Sequence, residues 1–215
     1  NGKKNMNVLY VSANPKPDDE SVTRKMGDFF LKGLAETNPQ APIIRIDLYQ
    51  EIPPYYDYSA YRYYWYPLFI DYTPTKAEEH AVKYSEKQID IFLQTDILVI
   101  SCPMWNFSMP AILKAWLDCI MIPNKLFKWD ENAEIIPLHK VKTAVLLCSS
   151  GGEFFNNAPN EHLVALLKSI LHFIKIEDIK VIFADRQNPL LFLEQENVRS
   201  NSIQEARELG KSISQ

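Results

Sequence analysis

The chain is expected to fold as one α/β domain spanning 1–215: a five-stranded parallel sheet, order 2-1-3-4-5, with helices on both faces. Three observations carry that expectation. Short apolar runs alternate with amphipathic stretches along the whole chain, the pattern of a parallel sheet built through crossover helices. The clearest run, D-I-L-V-I-S-C at 96–102, is apolar on both faces, as strands covered on both sides tend to be. The 215 residues, 47% hydrophobic and 23% charged, suffice for one domain with a sizeable core.

Each element follows from its own residues. Residues 1–5 are polar and read as a flexible tail. M-N-V-L-Y-V-S at 6–12 is the first strand. A helix is expected over 21–37, with Val22, Met26, Phe29, Phe30 and Leu34 as its apolar stripe. Asn38-Pro39 ends it, and 42–49 reads as the second strand. Residues 51–74 form an aromatic-rich insertion, densest at 55–66, where no period of two or 3.6 dominates. It reads as irregular, with at most a helical turn. Thr75-x-x-Glu78 is a capping box opening a helix to about Gln94. After the strand at 96–102 comes a nearly all-apolar helix at 110–122, then a strand at 141–148. Asn160 is placed as the cap of a helix reaching Ile174. A fifth strand covers 179–184, and Val198, Ile203, Ala206, Leu209 and Ile213 mark a final amphipathic helix.

The bulk chemistry narrows the function classes. A net charge of -4 gives no reason to propose nucleic acid or a membrane surface as partner. No apolar run approaches the roughly 20 residues that span a bilayer. Cys102, Cys119 and Cys148 are odd in number, lack a Cys-x-x-Cys pair and each sit in an apolar run. They read as buried hydrophobes in a reducing, cytoplasmic setting. The four histidines lack metal-ligand spacing, so no metal is expected. No Gly-x-Ser-x-Gly elbow is present, which argues against a hydrolase on the same sheet.

Ligands of such sheets sit beyond the carboxyl ends of the strands, at the switch point between strands 1 and 3. The loops after strands 1, 3 and 4 should therefore build the site. The first, S-A-N-P-K-P-D-D-E-S-V-T at 12–23, ends at a helix N-terminus, where free amides and the dipole favour a phosphate. Ser12, Ser21 and Thr23 add hydroxyls, with Asn14 and Val22 in the same loop. Ser21 is equally suited to be only an N-cap, and Asp18, Asp19 and Glu20 oppose an anion unless they point outward. The second, C-P-M-W-N-F-S-M-P at 102–110, carries Pro103, Met104, Trp105, Asn106 and Phe107. These would make a platform for a flat ring or would simply cap the core. The third, C-S-S-G-G-E-F-F at 148–155, offers Ser149, Ser150, Gly151 and Gly152. It is either a close backbone approach to a ligand or a plain tight turn. Together the loops describe a ligand with a phosphate at one end and a planar heteroaromatic at the other, and FMN fits.

The run P-M-W-N-F-S-M-P-A-I-L-K-A-W-L-D at 103–118 resembles the FMN-binding segment of the FMN-dependent NADH-azoreductases. That family belongs to the flavodoxin-like NAD(P)H:quinone oxidoreductases and has Pro-Met-Tyr-Asn-Phe, then Leu-Lys-x-Trp/Phe-x-Asp. S-S-G-G at 149–152 is similar to the family's Ser-Arg-Gly-Gly. The resemblance covers essentially the whole chain and implies a flavodoxin-like fold. It implies that Ser12, Ser21 and Thr23 bind the FMN phosphate and that Met104, Trp105, Asn106 and Phe107 hold the ring and ribityl chain. Ser149, Gly151 and Gly152 would line the ring's polar edge. It further implies a ping-pong reaction through flavin N5 with NADH or NADPH as donor. The acceptor would be a small quinone, azo compound or nitroaromatic, the protein a homodimer, and no side chain catalytic. An FMN-binding electron carrier or redox sensor is the alternative on the same fold.

The departures are local. Trp105 replaces Tyr, Ser150 replaces Arg, and Phe154 stands where some members carry His. N-K-L-F-K-W replaces Gly-x-Thr-Phe with Phe127 kept. The acceptor pocket is expected to involve Phe127, Phe154, Tyr58 and Tyr61, the tyrosines in part from a partner subunit.

Overall fold

A computed structural model describes residues 6–154 and 158–213; the tail expected at 1–5 lies outside them. The first βαβ unit is β1 (Val8–Ser12), α1 (Val22–Thr37) and β2 (Ile43–Asp47). Helices α2 (Tyr58–Phe69), α3 (Lys76–Ala81) and α4 (Lys83–Leu93) lead into β3 (Ile97–Pro103) and α5 (Ala111–Ile120). A small hairpin of β4 (Phe127–Trp129) and β5 (Ile135–Pro137) follows. Then come β6 (Thr143–Ser149), α6 (Leu163–Phe173), β7 (Asp178–Ala184) and α7 (Gln195–Ser212). The main sheet has the order β2-β1-β3-β6-β7 with every pairing parallel. That is the expected 2-1-3-4-5 arrangement, since β4 and β5 pair only with each other.

Alternate residues of each strand feed two cores. Leu9, Val11, Leu98, Ile100, Leu146 and Cys148 face α4, α5 and α6, whose Phe92, Trp116 and Leu167 are buried with them. Val8, Tyr10, Val99, Val145 and Leu147 face α1 and α7. On the first side Trp116 is fully buried, and its Nε1 donates to Gln88 Oε1 at 2.9 Å. Gln88 Nε2 donates in turn to Glu51 at 2.9 Å. On the second side α1 and α7 touch backbone to backbone. A Cβ on Gly33 would fall 2.0 Å from the Arg207 carbonyl oxygen, and one on Gly210 would fall 2.1 Å from that of Phe30. Only glycine permits this approach.

The sequence expectations fail in four places. The aromatic insertion is a three-turn helix, α2. Asp57 caps it by accepting from Ala60 N at 2.9 Å, and Pro67 sits in its last turn. Only Ala60 and Tyr64 are buried, so no apolar stripe announces it. The helix expected from Thr75 to Gln94 breaks at Val82 into α3 and α4, although the capping box is present as read. The hairpin has strands of three residues, too short to leave a period. Asn160 caps nothing: α6 begins at Leu163, and Glu161 accepts from Val164 N at 2.7 Å instead.

The cysteines are free and buried, with Cys102 and Cys148 paired across β3 and β6. The hydrogen bond that the Cys148 thiol shares with Cys102, and then burial, push the Cys148 thiol up; burial does the same to Cys119. No helix among the described residues is long and apolar enough to cross a membrane.

Candidate functional site

At the carboxyl edge of the sheet the loop after β1 ends at α1. Asn14, Ser21 and Thr23 are buried there and bonded to one another. Asn14 Nδ2 donates to Ser21 Oγ at 2.8 Å and to Thr23 Oγ1 at 3.1 Å. Ser21 is indeed the N-cap, its Oγ accepting from Arg24 N at 3.2 Å. Arg24 locks the loop from behind through Asn14 O at 2.5 Å and Asp47 Oδ2 at 2.7 Å. Asp18, Asp19 and Glu20 are exposed, and Asp18 pairs with Arg24 at 3.4 Å. Ser12, at the end of β1, is 2% exposed, and its Oγ has no hydrogen-bond partner; Ser101 Oγ, its register neighbour, has none either. Both face the Tyr10 side of the sheet. Burial raises the Tyr10 phenol, and the nearby Ser101 and Ser12 hydroxyls oppose the rise.

The loop after β3 doubles back on itself. Trp105 N donates to Ser108 O at 2.9 Å and Ser108 N to Trp105 O at 3.0 Å. Asn106 and Phe107 both take left-handed backbone, φ 47° and 70°. Two such residues in succession make the tight type I′ connection, at a steric cost for phenylalanine. The turn holds Trp105 on the rim, 42% exposed, and sets the Phe107 ring edge-on to Phe154 at 5.8 Å.

The loop after β6 is tied to the loop after β7. Ser150 N donates to Ala184 O, Gln187 N to Ser150 O and Asn188 N to Gly151 O, at 3.0–3.1 Å. No described glycine has positive φ, so Gly151 is present for space and not for conformation. A Cβ there would meet only the Asn188 Cβ, at 3.7 Å.

One cleft of about 360 Å³ gathers nine of the fourteen residues expected to hold the cofactor: Asn14, Ser21, Val22, Pro103, Met104, Trp105, Ser149, Ser150 and Gly151. Ser12, Thr23 and Gly152 lie outside its lining, Phe107 leans on Phe154, and Asn106 faces a second cleft. Lys16, Glu20, Gln187, Asn188, Pro189 and Arg199 also line the first cleft and escaped the sequence reading. Their signal was position: Gln187 to Pro189 follow β7 at the same sheet edge as the other loops. Arg199 Nε donates to Gln187 at 3.2 Å.

The second cleft, about 630 Å³, lies across the Trp105 turn and is bounded by the segment after β2, including Tyr49, Ile52 and Tyr55. None of the four expected pocket residues lines either cleft. Phe127 is buried against Trp129 and Phe173. Phe154 packs on Phe107, and Tyr58 and Tyr61 lie exposed on α2.

The Asn14 and Ser21 side chains at the start of α1 and the open cradle at Gly151, where a Cβ would meet only the Asn188 Cβ, fit a phosphate-bearing flat cofactor. A family model for the flavodoxin-like fold matches residues 6–209. The FMN-dependent NADH:quinone oxidoreductase of Caldicellulosiruptor saccharolyticus is 33% identical over 206 residues, covering 95% of this chain and 98% of that one. The azoreductase structure from Bacillus anthracis str. Sterne superposes with a TM-score of 0.87 at 25% identity, over 97% of this chain and 100% of that one. An FMN-dependent NADH-azoreductase from Bacillus anthracis str. Ames Ancestor, solved in complex with FMN, gives 0.83 at 26% identity, over 95% and 97%.

Proposed function

Because the chain belongs to the flavodoxin-like fold family and, within it, to the FMN-dependent NADH:quinone oxidoreductases, we propose that it moves two electrons at a time from NADH to a quinone or azo acceptor by a ping-pong sequence. The observation that carries this reading is the single cleft shared by three loops, polar and helix-capped at one end and aromatic at the other.

FMN, when bound, would supply the two-electron redox chemistry that links NADH to the acceptor. The rest is positioning by this chain. Ser21, Thr23 and the first-turn amides of α1 at Val22 and Thr23 hold the phosphate, with Ser12 at the end of β1 behind them and Arg24 keeping the loop in shape. Pro103, Met104, Trp105, Asn106 and Phe107 shape the ring's seat, rigid because the turn closes on itself. Ser149, Ser150, Gly151 and Gly152 bound the ring's polar edge, fixed by the loop after β7. The buried, unbridged cysteines suit a reducing cytoplasm.

The test is a visible absorption spectrum of the purified protein before and after anaerobic NADH. A flavin band that bleaches supports the reading. A flavin band that NADH leaves unchanged favours an electron carrier, and no band after soaking in FMN defeats the cofactor assignment.

The active form is a homodimer joined through α2. Tyr61, Trp65 and Phe69 stack in sequence along one side of the helix, with ring centroids 6.1 and 6.0 Å apart. Tyr61 is 40% and Phe69 67% exposed, an apolar surface of the kind that marks interfaces. In this arrangement Tyr58 and Tyr61 reach the acceptor site of the opposite subunit. Tyr61→Glu with Phe69→Glu is expected to shift the protein from dimer to monomer in sedimentation. An unchanged dimer would remove α2 from the interface.

A further inference from the structure

We propose that the second cleft is the seat of the acceptor and that it selects uncharged planar aromatics over anionic ones such as sulfonated dyes. The inference rests on the redox function above and adds the charge class of the substrate. Its volume, about 630 Å³, falls within the roughly 300–1,000 Å³ of small-molecule pockets. Trp105 belongs to both clefts, so the two adjoin along that residue.

The lining decides the chemistry. Flat or branched apolar groups dominate: Tyr49, Ile52, Tyr55, Trp105 and Ile112 are among them. Hydroxyl and amide tips come from Tyr49, Tyr55, Asn106 and Ser108, donors for a carbonyl or azo nitrogen. No Lys, Arg, Asp, Glu or His belongs to the lining. The charges flanking the β2–α2 segment are carboxylates. Asp47 is matched by Arg24 at 2.7 Å and Glu51 by Lys87 at 2.7 Å, so neither cation is free to serve an incoming anion. Asp57 holds the α2 cap. Burial and then the Asp47 charge push the Tyr49 phenol up, which keeps it a neutral donor. A sulfonate entering this cleft loses hydration without gaining a counter-charge. An uncharged quinone or azobenzene loses little and buries its faces.

The experiment compares an azo dye with its ring-sulfonated counterpart under saturating NADH, reading the ratio of kcat/KM, sulfonated over neutral. The native ratio should lie well below one. Ile52, 67% exposed, tolerates a lysine without strain, and Ile52→Lys should raise the ratio about tenfold through one nearby opposite charge. Ile52→Gln should raise it far less. Ile44→Lys, a charge added on edge strand β2 outside the cleft, should leave it near the native value. A ratio unmoved by Ile52→Lys, or moved equally by Ile44→Lys, overturns the proposal while leaving the redox function intact. Failure of NADH to bleach the flavin in the native protein would defeat the redox function itself.

Discussion

Gly151→Val is expected to give a folded protein that purifies without flavin. The backbone at Gly151 is not in the left-handed region, so valine adopts it without conformational penalty. The nearest neighbour of its Cβ would be the Asn188 Cβ at 3.7 Å, ordinary contact. The Cβ therefore meets no clash, and the side chain beyond it is expected to take its space from the cleft that Gly151 lines. FMN binding should weaken roughly 100-fold, about 2.7 kcal/mol, in a fluorescence titration. The thermal midpoint of the flavin-free protein should stay within about 2 °C of the native apoprotein. Full flavin occupancy in the variant would mean that the cofactor lies elsewhere. Gly152 offers the contrast, because a Cβ there would fall 2.6 Å from the Phe154 ring, and a substitution would disturb the loop itself.

The second large effect concerns stability. Trp116→Ala should lower the unfolding free energy by about 4 kcal/mol, within the range for emptying a fully buried aromatic site. It removes a side chain with no exposure and strips Gln88, itself buried, of its indole donor. Trp116→Phe keeps most of the volume and loses chiefly the hydrogen bond, so about 1–2 kcal/mol is expected. Urea unfolding at saturating FMN reads both. A loss under about 1 kcal/mol for the alanine variant would show that the core relaxes around the gap.

The inner strands β1, β3 and β6 were legible because they are buried on both faces and read as continuous apolar runs; the edge strands β2 and β7 are only partly buried and were placed by their position in the alternation of strands and helices. The capping box at Thr75 and the N-cap role of Ser21 were legible because their chemistry is local. Helix α2 was not, because aromatics occupy all its sides: Ala60 and Tyr64 are buried and Tyr63 and Trp65 pack partly on the core, while Tyr58, Tyr61 and Phe69 are exposed, so no single face stands out as an apolar stripe. The cap at Asp57 was the available clue, masked by Pro67. At the site, the three loops were found by asking which strand ends meet at the switch point. The same question applied to β7 would have added Gln187, Asn188 and Pro189. Arg199 lay out of reach, since only the packing of α7 beside α1 brings it to the cleft. The pocket residues Phe127, Phe154, Tyr58 and Tyr61 came from family likeness and not from any feature of their own surroundings.

The sealed sulfurs bear on how the protein ages. Chemical wear in a protein that handles electrons begins at thiolates, which form readily only where a thiol is acidic and wet. Here each thiol lies inside the core. Cys148 shares a hydrogen bond with Cys102, and Cys148 and Cys119 are both held in the protonated form. Oxidants in solution therefore meet the exposed tyrosines and leucines before they meet a thiol, and oxidation of these cysteines is expected to wait on opening of the core.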